Sequence, residues 1–360
     1  MDDFLKFADE DRLAFFNEAA ARRDVTPIIV EKDFWVCWTL RRLVETVDVG
    51  EYLTFKGGTS LSKAYGIIHR FSEDIDLTIA RTAPEIEHVE SPMAEGIGRK
   101  ERDRRAKALK TAAQSFVSSK ALPKLAKSIE SAIGKKDGWL IKPDPEDQDA
   151  QTILFEYPRL LNYGGFGTGG YGAEPYGGSY IKPRIKLEFG ARGETEPSEL
   201  KTITPYLAQE FPNELPNSAV TISTLAVERT FWEKVTILHA LHHGSKLRPE
   251  MSRHYYDTIM LARKGIDDRA MADPELLRRV VLNKRLLFPE SKASYETAQF
   301  GTLRLAPPDP LGARLRLDYE AMREMFMTEP PSIDELMAGI GSLEAKLNRL
   351  LPIGDVSSAN

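Results

Sequence analysis

The chain is 360 residues long, 42% apolar and 29% charged, with a formal net charge of −5. That is the make-up of a folded globular protein with room for two domains, not of a disordered or disulfide-stapled one. No window approaches the ~18 uninterrupted apolar residues of a membrane-spanning helix, and one cysteine, Cys37, allows neither an intrachain disulfide nor a cysteine-based zinc site.

The start, Met1-Asp2-Asp3-Phe4 with Asp9, Glu10 and Asp11 following, is the reverse of a signal peptide, so the expected location is the cytoplasm. Two short helices are expected first. Thr26 then offers an N-cap and Pro27 the first position of a core helix running to about Glu45, with Val36, Leu40, Leu43 and Val47 at helical spacing. Tyr52 to Phe55 reads as a strand closed by Gly57-Gly58, and Leu61 to Ile68 as a short helix. Asp74 to Ile79 reads as a strand, because polar and apolar residues alternate with period two. Between Ile97 and Lys136 twelve Lys/Arg stand against three Asp/Glu, a net +9 that leaves −14 for the remainder. The overall charge therefore excludes nothing about nucleic acid. Within this segment Leu109, Ala113 and Phe116, then Leu122, Leu125, Ile129 and Ile133, predict two amphipathic helices broken near Pro123.

Gln151 to Tyr157 and Ile181 to Phe189 read as strands, separated by an irregular loop from Tyr163 to Tyr180 that holds eight glycines. Helices are expected from Thr224 to about His243, from Ser252, a possible N-cap, to about Lys264, from Pro274 to Leu287, and from Ser332 to Leu350. This order predicts a mixed α/β half, residues 1–200 with a basic helical insertion at 97–136, followed by a mainly helical half, residues 201–360.

Chemistry concentrates in Lys56-Gly57-Gly58-Thr59-Ser60-Leu61-Ser62-Lys63 and Arg70-Phe71-Ser72-Glu73-Asp74-Ile75-Asp76-Leu77. A strand ending in two glycines and opening into a helix brings backbone N–H groups and small hydroxyls to a place suited to phosphate. Gly-Gly-Thr also marks ordinary tight turns. Asp74 and Asp76, alternate residues of one strand, point the same way about 6.6 Å apart. Such a pair suits magnesium carried in with a triphosphate. Glu188, in Ile185-Lys186-Leu187-Glu188-Phe189, is a candidate third acid for a two-metal arrangement, with Lys186 on its face. Lys234 interrupts the apolar stripe of Val227, Phe231, Ile237, Leu238 and Leu241. It must reach solvent, an anion or a ligand, and Asp257 is near enough in sequence to pair with it across a helical hairpin. Two other matches are discounted. Gly165-Phe166-Gly167-Thr168-Gly169-Gly170 has the letters of a dinucleotide fingerprint but no helix after it. His239 and His243 lack the glutamate of a zinc peptidase, Ala240 standing in its place, and read as polar-face or core residues.

Taken together these runs resemble the AbiEii/AbiGii-type nucleotidyltransferase toxins, a branch of the polymerase-β-like superfamily. The resemblance rests on Glu31-Lys32-Asp33-Phe34-Trp35-Val36, on Gly57 to Leu61 through Arg70 to Leu77, on Glu228-Arg229-Thr230-Phe231-Trp232-Glu233-Lys234, and on Arg253-His254-Tyr255-Tyr256-Asp257, within residues 26 to 265. It implies a minimal nucleotidyltransferase fold, a mixed sheet flanked by helices, with a helical C-terminal region. It also implies a triphosphate at Gly58, Thr59 and Ser60, magnesium on Asp74 and Asp76, and roles for Lys234, Asp257 and Glu188; Gly57, Lys63 and Lys186, beside these in sequence, are further candidate nucleotide contacts. The Gly58–Asp74 interval exceeds the superfamily's usual spacing, which leaves open which hydroxyl faces the phosphate, and Glu188 stands where Asp is common. The implied reaction is magnesium-dependent transfer of a nucleoside monophosphate from an NTP to an acceptor such as tRNA; the +9 charge of 97–136 suits contact with its phosphates, or else forms a solvated helical face. The implied setting is a bacterial toxin–antitoxin or phage-defence (abortive infection) system, with a cognate antitoxin as partner and no membrane. A small-molecule transferase of the antibiotic-modifying kind, and a non-catalytic binding protein on the same fold, remain alternatives.

Overall fold

The computed structural model describes residues 1–134, 138–162, 181–244 and 248–349. The expected glycine-rich loop and fingerprint letters of 163–180, and Lys135 and Lys136 of the basic segment, lie outside the described residues. After a single turn at Phe4–Lys6, helix α1 (Asp9–Arg23) starts on three acids and ends on two arginines, in keeping with the helix dipole. Its left-handed cap, Asp24, leads to α2 (Pro27–Val44), opened by Pro27. α2 is buried from Ile29 to Leu40, and that buried run includes the charged residues Glu31, Lys32 and Asp33.

Among the described residues seven strands, β1 (Leu53–Lys56), β2 (Asp74–Ile79), β3 (Leu140–Pro143), β4 (Thr152–Glu156), β5 (Ile185–Gly190), β6 (Ser198–Ile203) and β7 (Val220–Leu225), form one mixed sheet in the order β3-β4-β5-β2-β1-β7-β6. β2 pairs antiparallel with β1 and parallel with β5, while β1 and β7 are parallel. Alternation gives the sheet one apolar face, including Phe55, Ile75, Leu77, Ile153, Phe155, Ile185 and Leu187, all buried. α2 covers it: Trp35 and Trp38 each lie 6.0 Å from Phe155, and Trp35 stacks on Tyr157 at 5.3 Å. The other face carries Asp74, Asp76, Lys186 and Glu188.

Three departures from the sequence expectations have physical reasons. The helix expected at Leu61 to Ile68 is a short turn, α3 (Gly57–Thr59), continued by a π-helical turn at Ser60–Ala64 and ended before Gly66, which takes φ +60°. The insertion is not broken at Pro123. α4 (Arg99–Ser115) runs through a π-helical turn at Phe116–Ala121 into α5 (Leu122–Ile133), the altered turn lying just before Pro123, which has no N–H to give it. The helix expected from Thr224 begins at Val227, because Val220 to Leu225 alternates buried and more exposed residues and completes the sheet as β7. A short helix, α6 (Tyr206–Glu210), links β6 and β7.

The chain forms two compact units. One comprises Met1–Gly66, Arg70–Ser91 and Ile97–Leu225; the other comprises Ile67–His69, Pro92–Gly96 and the chain from Ala226 onward. The second is helical: α7 (Val227–His243), α8 (Ser252–Arg263), α9 (Ile266–Met271), α10 (Pro274–Leu287), α11 (Asp309–Ala321) and α12 (Ile333–Leu347). α7 packs on α8, α9 and α10. Ser332 caps α12 in a reciprocal box with Glu335, whereas Ser252 lies inside α8 and Met251 is its cap residue. Among the described residues no helix is long and apolar enough to cross a membrane.

Trp35 is 1% exposed and ringed by Phe34, Trp38, Phe155 and Tyr157. Trp35→Ala is expected to destabilise the sheet-bearing unit by about 3–5 kcal/mol, read as a lowered urea midpoint.

Candidate active site

Gly57 follows β1 with φ +78°, and a Cβ placed on it would lie 1.8 Å from Asp76 Oδ2. The position therefore demands glycine twice, for its backbone angle and because the Asp76 carboxylate occupies the side-chain space. A Cβ on Gly58 would meet Ser72 Oγ at 2.5 Å and Arg70 Nη2 at 2.8 Å. The turn is thus wedged between Asp76 and the Arg70–Ser72 stretch. Thr59 and Ser60 are fully buried, and their hydroxyls are used within the fold: Thr59 donates to the Asp74 carbonyl, and Ser60 to the Gly57 carbonyl at 2.9 Å.

The parallel register of β2 and β5 sets Asp74 beside Lys186 and Asp76 beside Glu188, so all four share one sheet face. Glu188 pairs with Lys186. Burial, followed by the charges of Glu73, Asp76 and Glu188, pushes the Asp74 carboxyl up to about 7. Burial alone would lower Lys186, but Glu188, Asp74 and Asp144 outweigh it and hold its ammonium above the usual lysine range. Among the described residues no three His, Cys, Asp or Glu side chains gather on one point. The donor set is therefore the Asp74–Asp76 pair, two hard oxygen ligands crowded by like charge. It fits a divalent cation that completes its shell from phosphate oxygens and water.

Three kinds of residue belong to the motif runs but were given no site role from the sequence. Lys56 pairs in register with Asp76 across β1–β2 and therefore lies on the site's face. Arg70, 2% exposed, is placed against Gly58. The charged run of α2 ties the site together. Glu31 Oε1 accepts from Leu160 N at 2.6 Å, Lys32 pairs with Glu73, and Asp33 Oδ1 lies 2.6 Å from Lys63 Nζ, while Asp33 Oδ2 accepts from Tyr206 N at 2.6 Å. The available signal was three consecutive charges between Ile28-Ile29-Val30 and Phe34-Trp35-Val36, since buried charges require partners.

In the helical unit Lys234 Nζ donates to Asp257 Oδ2 at 2.7 Å, with side chains 8% and 0% exposed. His239 is a core residue. Its Nδ1 accepts from Arg304 N at 3.1 Å, its Nε2 lies 3.0 Å from the Ser294 carbonyl, and burial lowers it to about 4, so it is neutral at pH 7.

The basic insertion is less open than its +9 implies. Arg104 and Arg105 both engage Glu90 and Glu101, Lys110 pairs with Asp149, Lys120 with Glu85 at 2.7 Å, and Lys124 with Asp48 at 2.8 Å. Lys100, Lys107 and Lys127 are exposed.

A family model described as nucleotidyl transferase AbiEii toxin, type IV TA system, matches residues 38–339. Among solved structures the chain is similar to MenT4, a nucleotidyltransferase toxin from Mycobacterium tuberculosis H37Rv. The TM-score is 0.52 and the identity 19%, over 94% of this chain and 90% of that one, a likeness of fold. No curated protein matches.

The Asp74 shift has a sign. From about pH 4, where a free carboxyl titrates, to about pH 7, the folded chain keeps a proton that the unfolded chain has released, so stability falls as pH rises through that window. Asp74→Asn removes the penalty. In chelator, its melting temperature should exceed the wild type's by more at pH 8 than at pH 4.5, read by scanning calorimetry; an equal difference at both would place the shift elsewhere.

Proposed function

The chain belongs to the AbiEii family of nucleotidyltransferase toxins, of type IV toxin–antitoxin systems, and we propose that it transfers a nucleoside monophosphate from an NTP to RNA, with tRNA the expected acceptor, using magnesium. Family membership disposes of the non-catalytic alternative. The observation that carries the reading is the placement of Asp74 and Asp76 on one sheet face with the Gly57-Gly58 turn directly against Asp76.

In this reading Asp74 and Asp76 hold the cation, which when bound neutralises phosphate charge and favours ionisation of the attacking hydroxyl. The Gly57-Gly58 turn, which glycine allows to pack directly against Asp76, offers its main-chain N–H groups to the triphosphate beside the cation. Lys186 and Lys56, on the same face, offset negative charge that grows as pyrophosphate leaves. Glu188, released from Lys186 when phosphate competes for the ammonium, serves as third acid or as base for the acceptor's proton. Lys234 and Asp257 enter the proposal through their motif, and mutation is the measure of their part. A cytoplasmic setting, a cognate antitoxin and a role in phage defence belong to the same proposal.

For the acceptor, exposed Lys100, Lys107 and Lys127 support RNA backbone contact. The pairing of Arg104, Arg105, Lys110, Lys120 and Lys124 with acids favours the second reading, a small-molecule acceptor. Incubation with each α-labelled NTP and either total tRNA or aminoglycosides separates the two. Label is expected on tRNA, and label on the drug alone would reject the RNA reading. Asp76→Ala is expected to reduce transfer by about 10³-fold or more. The triple variant Lys100→Glu, Lys107→Glu, Lys127→Glu should lower kcat/KM for RNA about ten-fold, flatten its salt dependence, and leave the NTP KM unchanged.

A further inference from the structure

Resting on the nucleotidyltransferase reading, we propose that Lys32 and Asp33 of α2 are positioning residues: Asp33 holds the Gly57–Ala64 segment through Lys63, and Lys32 holds the entry to β2 through Glu73. Together they fix the turn that receives phosphate at a set distance from Asp74 and Asp76. Lys63 is thereby assigned to the scaffold and not to the nucleotide.

The geometry of Lys63 carries the assignment. Its side chain is 4% exposed and that of Asp33 1%, with Nζ 2.6 Å from Asp33 Oδ1. On another side the ammonium lies 3.6 Å from the centre of the Tyr206 ring, and Tyr206 N in turn donates to the second Asp33 oxygen. An ammonium held between a carboxylate and an aromatic ring has its charge answered inside the fold. The second tie repeats the logic at the other arm. Lys32, 1% exposed, meets Glu73, the residue immediately before Asp74, and donates also to the Lys182 carbonyl, three residues before β5. Neighbouring residues of one helix, about 100° apart around its axis, thus reach the loop after β1, the start of β2 and the approach to β5.

A buried ion pair stabilises little more than an apolar pair of the same size, yet losing one partner leaves an uncompensated charge. Two such pairs on adjacent residues, both ending on segments that carry the site, are explained by a need for fixed geometry. Misplacement of a reacting arrangement by about 1 Å can cost on the order of 10²-fold in rate.

The test uses the full chain with Asp33→Asn, Lys63→Gln, Lys63→Arg and Lys32→Met. It reads kcat and NTP KM with magnesium, together with amide hydrogen exchange in peptides covering residues 53–66, 72–79 and 227–243. Asp33→Asn and Lys63→Gln are expected to lower kcat about ten-fold or more with NTP KM within about two-fold, and to quicken exchange at 57–64 while 227–243 is unchanged. Lys32→Met should do the same with its exchange effect at 72–79. Lys63→Arg, which keeps the charge opposite Asp33, should recover most of kcat. A raised NTP KM at constant kcat in Lys63→Gln would overturn the proposal by making Lys63 a nucleotide contact. A loss of kcat without local exchange, or with exchange quickened equally across the sheet, would also overturn it. If Asp33→Asn lacks a cooperative melt, Lys63→Gln decides, since it leaves Asp33 bonded to Tyr206 N. Should the wild type transfer no nucleotide, the functional reading fails on its own, and the exchange pattern still decides whether α2 holds the two arms.

Discussion

The carboxylate of Asp76 lies where a side chain of residue 57 would be. A turn after β1 and a carboxylate on β2 can come this close only because position 57 is glycine, with a positive φ that other residues reach at a cost. Register then does the rest. Antiparallel pairing of β1 with β2 aligns Lys56 with Asp76, and parallel pairing of β2 with β5 aligns Asp76 with Glu188. Each charged group of the face is thus placed by main-chain hydrogen bonding, and its side chain has little left to decide.

Setting Asp74, Asp76 and Glu188 on one sheet face creates a repulsion that the fold answers unevenly. Glu188 receives Lys186 and Glu73 receives Lys32, while Asp74, buried and facing acids, titrates near neutrality. The flanking acids each meet a lysine, while burial and the neighbouring acids raise Asp74, a place where a bound cation would relieve the repulsion. In the helical unit, by contrast, Lys234 and Asp257 meet as a buried pair of opposite charge.

Much of this was legible in the sequence wherever the physics is local. The alternation of Asp74 to Ile79 gave β2 and the facing of its two acids, and Pro27 with the apolar spacing behind it gave α2. β3 and β6 were not legible, because β3 is four residues ending in Pro143 and β6 is an edge strand that is polar on both sides, so neither shows a period of two. β7 did alternate, and was lost to the helix pattern that follows it. The tie of Asp33 to Lys63 joins residues thirty apart through burial, and nothing in either segment's own pattern announces the partner. The same limit applied to the surroundings of Thr59, Ser60 and Lys63: the two hydroxyls bond within the fold and the ammonium lies against Asp33. The basic insertion shows the converse: its charge was countable, but its acid partners Glu85, Glu90, Asp48 and Asp149 lie outside it.

The order of the three charges at the start of α2 also guards against a packing error. Were the helix to settle one position out of place, so that Lys32 stood where Asp33 belongs, it would face Lys63, and Glu31 would face Glu73. Slipped the other way, Asp33 would face Glu73 and Phe34 would lie against Lys63. Both neighbouring registers therefore bury like charges or an unanswered lysine, in addition to taking Trp35 out of its place against Phe155 and Tyr157. Ring packing and charge thus specify the same register, and the sequence Glu31-Lys32-Asp33 works as a key that turns in one position only.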